Sequence, residues 1–321
     1  MSQVLVVIVN YRTADLAIDC LRSLEAEVAE NPGTRVVLVD NASGDGSTDR
    51  LSAAVAEQGW GPWASILSAA HNGGFAAGNN LAIRPALEGP SPPRFVLLLN
   101  PDTLVRPGAL RALIDFMDSH PAIGLAGSRL EDPDGTPQRS AFRFPTVLGE
   151  LEGGLRLGLV SRLLKRWVVA PPVPESKGPV DWVAGASLIV RREAFETIGL
   201  LDEGYFMYFE EVDFCLRARR AGWPCWYVPE SRVVHLVGQS SGVTASQHAR
   251  RRLPDYWFRS RRRFFLAHYG LARTALADLA WASGYALYRV RRVLQRKPDR
   301  DPEYLFWDFL RHNFFLCSGR S

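Results

Sequence analysis

Glu210, Glu211 and Asp213 crowd into four consecutive positions of MYFEEVDFCLRARRAGW (207–223), where a helix is expected to begin. A helix amino terminus stabilises carboxylates in their charged form, and a carboxylate held beside an acceptor hydroxyl can remove its proton. Asp213 and Arg217 are also spaced i, i+4, which leaves a surface ion pair as the alternative for that residue. Tyr205, Phe206, Tyr208 and Phe209 stand directly before the cluster and argue against a merely solvated acidic face.

A second carboxylate ends an apolar run. VLLLNPDT (96–103) stops at Asn100 and Pro101 and then presents Asp102. Proline forbids further ladder bonding, so the strand ends here and the aspartate is either a turn and helix cap or a ligand. As a ligand it suits Mg²⁺ or Mn²⁺, which take oxygen donors and share them with substrate phosphates, as a nucleotide diphosphate would provide. NPD is an abbreviated form of an acidic metal signature that carries two carboxylates when complete. VLVDNASGDGS (37–47) sets Asp40 before a loop of small residues that lets a ligand approach the backbone, where a carboxylate can bind a base or ribose. An ordinary strand-to-helix turn capped by Ser47 is the other reading of that stretch. HNGGFAAGNN (71–80) is rich in Gly and Asn but lacks the order of a dinucleotide fingerprint. His235, in VVHLV, is either a metal ligand or a satisfied core histidine.

These residues need a scaffold, and the apolar bursts describe one. VLVVIVN (4–10), RVVLVDN (35–41), SILSA (65–69) and RFVLLLN (94–100) alternate with helical stretches, the first of them with Thr13 as N-cap. Continuous apolar strands separated by helices predict a parallel α/β sheet covered on both faces, with ligands at the carboxyl ends of its strands. The bursts end in Asn10, in Asp40 and Asn41, in His71 and Asn72, and in Asn100 with Asp102, so one polar-lined cleft is expected. Residues 129–180 read as an irregular excursion with a short helix near 148–164. DWVAGASLIV (181–190) reads as a strand, RREAFETIG as a helix, and 225–237 as two short strands around a turn. Beyond residue 245 the pattern is helical, with a break near Lys297 and Pro298.

With 321 residues, 47% hydrophobic and 22% charged, the chain is expected to fold as a globular protein. Cys20, Cys215, Cys225 and Cys317 show no paired spacing and fit a reducing compartment. The apolar run at 4–9 has no basic region before it and no cleavage site after it, so it reads as a strand and the expected location is cytoplasmic. Charge is uneven. Residues 1–240 hold 22 basic against 28 acidic side chains, or −6, and residues 241–321 hold 16 against 6, or +10. The basic tail interleaves aromatics, as in RRLPDYWFRSRRRFFLAHYG, which favours an interface over nucleic acid. Arg273 and Asp278 interrupt its best apolar window, so no spanning helix is expected. The tail can instead lie on the inner face of the cell membrane through a stripe of Trp281, Tyr285 and Tyr288, or pack those rings inward.

Taken in order, VIVNYRTADL, VLVDNASGDGS, NGGFAAGNN, LLLNPDT, GASLIVRREAFETIGLLDEGYFMYFEEVDFCLRARRAGW and VVHLVGQSS resemble the inverting family 2 glycosyltransferases, in particular their rhamnosyltransferase-like branch. The resemblance covers most of residues 4–241, and YWFRSRRRFF extends it into the tail. It implies a GT-A fold, a Rossmann-like nucleotide-sugar-binding α/β sheet, in residues 1–240, with 241–321 as a helical extension. Asp40 would then read the base or ribose beside Asn10 and Asn72. Asn41, Gly78, Asn79, Asn100 and Gly185 would complete the substrate site. Asp102 and His235 would hold Mg²⁺ or Mn²⁺, and the paired acidic motif falls on Glu210 and Glu211. Glu211 is then the expected base, with Glu210 and Asp213 as rivals. The branch implies a nucleotide-diphosphate sugar such as dTDP-rhamnose as donor, a glycan or lipid-linked acceptor, and a role in cell-surface polysaccharide synthesis.

Two other classes compete. A nucleotidyltransferase would want a glycine-rich loop with a basic residue near the amino terminus, and Val9, Asn10 and Tyr11 offer none. A non-catalytic nucleotide- or glycan-binding module of the same fold would bind without turnover.

Overall fold

Every residue of the first strand, β1 (Val4–Asn10), is buried, so it must be covered on both faces. The computed structural model describes residues 3–236 and 251–315. After β1 come α1 (Ala14–Glu30), β2 (Thr34–Asp40), α2 (Ser47–Glu57), β3 (Ala64–Ser68), α3 (Gly74–Glu88) and β4 (Phe95–Leu99). Then follow β5 (Thr103–Val105), α4 (Ala109–Ser119), β6 (Leu125–Glu131), β7 (Ala141–Phe142), α5 (Val147–Leu155) and α6 (Gly158–Leu163). The remainder is β8 (Gly178–Val180), β9 (Trp182–Val183), β10 (Ser187–Arg191), α7 (Arg192–Ile198), α8 (Glu210–Arg220), β11 (Cys225–His235), α9 (Asp255–Leu294) and α10 (Leu305–Leu310).

Side chains alternate along a strand. Val4, Val6 and Ile8 therefore share one core with Leu21 and Leu24 of α1, Leu51 of α2 and Leu113 of α4. Val9 faces the other way, where α3 approaches so closely that a Cβ on Gly78 would lie 2.7 Å from Val9 Cγ1. Glu27 of α1 is buried and caps α4, accepting the N–H groups of Gly108 (2.6 Å) and Leu110 (2.8 Å).

Nine strands form the main sheet in the order β3-β2-β1-β4-β10-β6-β11-β5, with β8 paired to β11 off that path. The β3-β2-β1-β4 quartet is parallel. The sheet as a whole is mixed, because β10 runs antiparallel to both β4 and β6. Apolar runs carry no direction, so the expectation of a parallel sheet holds only for the first half. From β1 the chain steps outward to β3 and returns on the other side of β1 at β4, which places a switch point between β1 and β4.

Residues 225–235 form one strand and not two: the register against β6 shifts between Val228 and Arg232, so the chain bulges around Pro229 without turning back. Thr13 takes the N-cap position of α1, yet its hydroxyl donates to Asn10 Oδ1 (2.9 Å) and makes no capping bond. Cys20, Cys215 and Cys225 are buried free thiols, while Cys317 lies outside the described residues.

The described chain divides into two compact units: residues 3–142, 172–206 and 210–236, and residues 143–171, 207–209 and 251–315. The expected boundary at 240 and the GQSS piece of the last motif fall outside the described residues. In the second unit α5 and α9 meet backbone to backbone at two glycines. A Cβ on Gly154 would lie 2.7 Å from Trp281 O, and one on Gly284 3.0 Å from Leu151 O. Gly270 bends α9 with a φ of 75°. Phe258, Phe264, Phe265 and Tyr285 are buried, and Arg261 is buried between Glu150 (2.7 Å) and Asp278 (2.6 Å). The Trp281, Tyr285 and Tyr288 stripe is packed within this unit. Trp281 stacks on Tyr285 and Phe309, and the Tyr285 hydroxyl donates to Asp301 (2.7 Å). No described helix is long and apolar enough to cross a membrane.

Candidate active site

The carboxyl ends of β1 and β2 and the start of α3 gather one hydrogen-bonded polar group. Asn10 Nδ2 donates to Asp40 Oδ1 (2.8 Å), which also accepts the Ser43 hydroxyl (2.5 Å). Asp40 Oδ2 accepts the Thr48 hydroxyl (2.8 Å) and the Ser43 N–H (3.3 Å). Both oxygens of this buried carboxylate are therefore engaged by its own loop, and a nucleoside would compete with Thr48 or Ser43 for them. Asn41 Nδ2 bridges Asn72 Oδ1 (2.9 Å) and the Gly74 carbonyl (3.0 Å). Gly78 borders this group, a Cβ there standing in ordinary contact with Asn41 Nδ2 at 3.5 Å. Asn79 donates to the Phe75 carbonyl (2.9 Å), while its Oδ1 is buried with no hydrogen-bond partner among the described residues.

Asp102 lies in the short link that carries the chain from β4, inside the sheet, to β5 at its edge. Strand β5 pairs with β11 so that His235 faces Thr103. The buried Asp102 Oδ1 consequently comes within 3.6 Å of His235 Nε2. That separation is too long for a hydrogen bond, but a carboxylate oxygen and an imidazole nitrogen on either side of a small gap suit a divalent cation. No three His, Cys, Asp or Glu side chains converge on a metal position among the described residues, so this pair offers two donors and leaves the others to substrate or water. Asn100 is half-buried; its N–H donates to the Ala186 carbonyl (3.1 Å) and its carbonyl accepts the Thr103 hydroxyl (2.7 Å).

The acidic cluster opens α8 as expected, and its members differ. Asp213 is buried and paired with Arg217 (2.7 Å), whose guanidinium also donates to the carbonyls of Ile198 (2.7 Å) and Leu200 (3.0 Å). The i, i+4 pair of the sequence is thus formed, below the surface. Glu210 and Glu211 each keep a buried Oε2 with no hydrogen-bond partner among the described residues. Burial, and then the charge of Glu211, push the Glu210 carboxyl well above its usual range. Burial also raises Glu211, to about 7, against the opposing pull of the helix N–H groups. Tyr208 and Phe209, directly before the pair, both have left-handed backbones (φ 68° and 69°), an arrangement costing about 1–3 kcal/mol per residue for side chains of this kind.

Contacts that the sequence did not announce join the three groups. A Cβ on Gly185 would stand 3.8 Å from Glu211 Cβ and 3.4 Å from the Phe75 ring, and the next residue, Ala186, binds Asn100. The Phe75 N–H donates to the Phe206 carbonyl (2.8 Å), fixing the loop that leads into α8. Asn80 holds the same loop through the Leu201 carbonyl (2.8 Å) and Glu203 (2.9 Å). Gln138 supports the His235 carbonyl (2.8 Å). The doubled Asn in HNGGFAAGNN is a signal for Asn80; Gln138 has none.

The model of "Glycosyltransferase like family 2" matches residues 2–252. An N-acetylglucosaminyl-diphospho-decaprenol L-rhamnosyltransferase of Mycobacterium tuberculosis is 34% identical over 223 residues, 66% of this chain and 70% of the relative. Rhamnosyltransferase WbbL of Escherichia coli is 30% identical over 168 residues, 51% of this chain and 61% of the relative. Among solved structures, the mannosyltransferase PcManGT of Pyrobaculum calidifontis, in complex with GDP-Man and Mn²⁺, superposes with a TM-score of 0.57 at 15% identity. It covers 92% of this chain and 75% of that one, a likeness of GT-A fold. The family model spans most of the chain, and the chain belongs to the family 2 glycosyltransferases and is a glycosyltransferase enzyme.

Proposed function

We propose that the chain transfers L-rhamnose from dTDP-L-rhamnose to a hydroxyl of a glycan or lipid-linked acceptor, with inversion at the anomeric carbon, in cell-surface polysaccharide synthesis. The sugar and the acceptor class are supported by the name of the M. tuberculosis relative, which acts on an N-acetylglucosaminyl-diphospho-decaprenol. The nucleotide follows the rhamnosyltransferase-like motifs. Catalysis belongs to residues 1–240, on the cytoplasmic side of the membrane.

One observation carries the mechanism. Glu211 presents a buried Oε2 that no described residue binds, with a proton affinity near neutrality. A base whose pKa lies near the working pH is ionised in about half of the molecules yet still basic enough to accept a proton. Glu211 takes the proton of the acceptor hydroxyl as that oxygen bonds to the anomeric carbon. The bond from that carbon to the diphosphate breaks on the opposite face, and dTDP leaves with the electron pair. Burial and the charge of Glu211 raise the Glu210 carboxyl well above its usual range, which favours its neutral form beside an ionised Glu211. Asp213 is occupied by Arg217 and keeps α8 in register with the 198–200 loop.

Asp102 and His235 fit the task of holding Mg²⁺ or Mn²⁺, and PcManGT was solved with Mn²⁺. A divalent cation bound there would supply positive charge to the departing diphosphate. Asn10, Asp40, Asn41 and Asn72 orient the nucleoside end, with Ser43 and Thr48 giving way to it.

Replacing Glu211 with Gln tests the assignment. The variant is expected to lose rhamnosyl transfer while still binding dTDP, as read by isothermal titration. Transfer at the wild-type rate would remove Glu211 as the base.

A further inference from the structure

The second unit buries Phe258, Phe264, Phe265 and Tyr285 and leaves a row of aliphatic side chains on α9 exposed. Beyond the bend at Gly270, Leu276, Leu279, Leu287, Val290 and Leu294 are 56%, 56%, 61%, 59% and 78% exposed. With the exposed Ser283 between them, they recur at +3, +7, +11, +14 and +18 from Leu276, the period of one helix face. At 1.5 Å per residue the stripe runs about 27 Å. Scattered exposed leucines need no explanation, but an aligned row of them marks a surface that something covers.

Charge identifies the cover. Between residues 270 and 298 the exposed charged side chains, Arg273, Arg296 and Lys297, are all basic; Arg292 is buried against Asp299 and Asp301, and the single carboxylate of the stretch is Asp278. That carboxylate is buried and neutralised by Arg261. Segment 156–174 repeats the composition, with Leu159 and Leu163 exposed at 63% and 72%, Arg162, Lys165 and Arg166 exposed beside them, and no acidic residue. The Arg291 guanidinium ties the start of this segment to α9 through the carbonyls of Leu155 (2.9 Å) and Arg156 (2.8 Å).

We infer that this stripe docks the protein on the surface of an anionic lipid bilayer, with α9 lying in the plane of the interface. Leucines enter the acyl boundary while exposed arginines and lysines meet acidic headgroups. A second copy of the chain is the poorer occupant, because pairing this stripe with itself would bring its own exposed basic side chains together. The inference goes beyond the transfer reaction and does not depend on which residue is its base.

Co-sedimentation of the full chain with phosphatidylcholine vesicles, and with vesicles of three parts phosphatidylcholine to one part phosphatidylglycerol, tests it. Wild type is expected to bind the anionic vesicles, weakly the neutral ones, and less as salt rises. Leu287→Glu with Val290→Glu should lower binding at least about tenfold, and Arg296→Glu with Lys297→Glu should do so for anionic vesicles alone. All four positions are exposed, so both variants should melt like wild type. Equal vesicle binding by wild type and the Leu287→Glu, Val290→Glu variant would overturn the inference. So would absence of vesicle binding, including the case where sedimentation equilibrium shows a dimer that this variant abolishes.

Discussion

Gly185 lies against Glu211: a Cβ added to the glycine would stand 3.8 Å from the Cβ of the glutamate and 3.4 Å from the Phe75 ring. Those are ordinary contact distances, so Gly185→Ala should fold with an unchanged melting temperature. A longer side chain reaches into the space beside Glu211, where the acceptor hydroxyl must sit. Gly185→Leu is expected to raise the KM for acceptor several-fold and leave donor affinity close to wild type. Separate titrations of the two substrates check this, and an unchanged acceptor KM would move the acceptor elsewhere.

Burial of Glu211 also sets a pH profile. With its carboxyl held near 7, the rate of transfer should climb tenfold per pH unit below that value and level off above it. Stability should run the other way. The folded carboxyl binds its proton more tightly than the unfolded one, whose ordinary value is 4.5. The folded state is therefore favoured below pH 4.5, and that advantage is lost as pH rises through about 7. Glu211→Gln, which has no carboxyl to ionise, should gain melting temperature relative to wild type across this window. A pH-independent difference would mean that Glu211 ionises as freely as an exposed glutamate.

Asp213 should respond in the opposite sense to Glu211. Its carboxylate is buried against Arg217, and that guanidinium also holds two carbonyls of the 198–200 loop. Removing one partner of a buried pair strands the other, a loss of about 3 kcal/mol for well-enclosed pairs and somewhat less here because Arg217 is partly exposed. Asp213→Ala should therefore lower the melting temperature by several degrees, while Glu211→Gln does not. Thermal unfolding of the two variants side by side separates the structural carboxylate from the chemical one.

The first half of this fold was legible because each strand is buried on both faces and so reads as an uninterrupted apolar run, as in β1 and β4. The site was legible where a residue type is unusual for its place, such as a carboxylate after an apolar strand at Asp102 or two adjacent glutamates behind four aromatics. Direction and partnership were not. Nothing in SLIVR tells that β10 runs antiparallel, since the alternation of its side chains is the same either way. Asp40 reads equally as a ligand group or as part of an ordinary turn, and nothing in DNASGDGST reveals that Ser43 and Thr48 occupy both its oxygens. Of the two readings open for the Trp281, Tyr285 and Tyr288 stripe, the rings pack inward, because large aromatics have much to gain from burial, and a row of leucines on α9 stays outside.

The cation site can be probed without turnover. His235 Nε2 is 3.6 Å from Asp102 Oδ1 and makes no hydrogen bond to it, so His235→Ala should cost little stability. If the two donors hold Mn²⁺, that variant should bind the ion at least about tenfold more weakly, a loss of the size that even outer-shell partners produce. Asp102→Asn should be the more severe, because it removes the charge that attracts the cation. The readout is the melting temperature with dTDP, measured with and without Mn²⁺, since a ligand that binds only the folded state raises it with the logarithm of its concentration relative to Kd. Wild type should show an increment from Mn²⁺ that shrinks in His235→Ala and vanishes in Asp102→Asn. An equal increment in all three proteins would place the cation on the nucleotide alone and leave Asp102 a strand terminator.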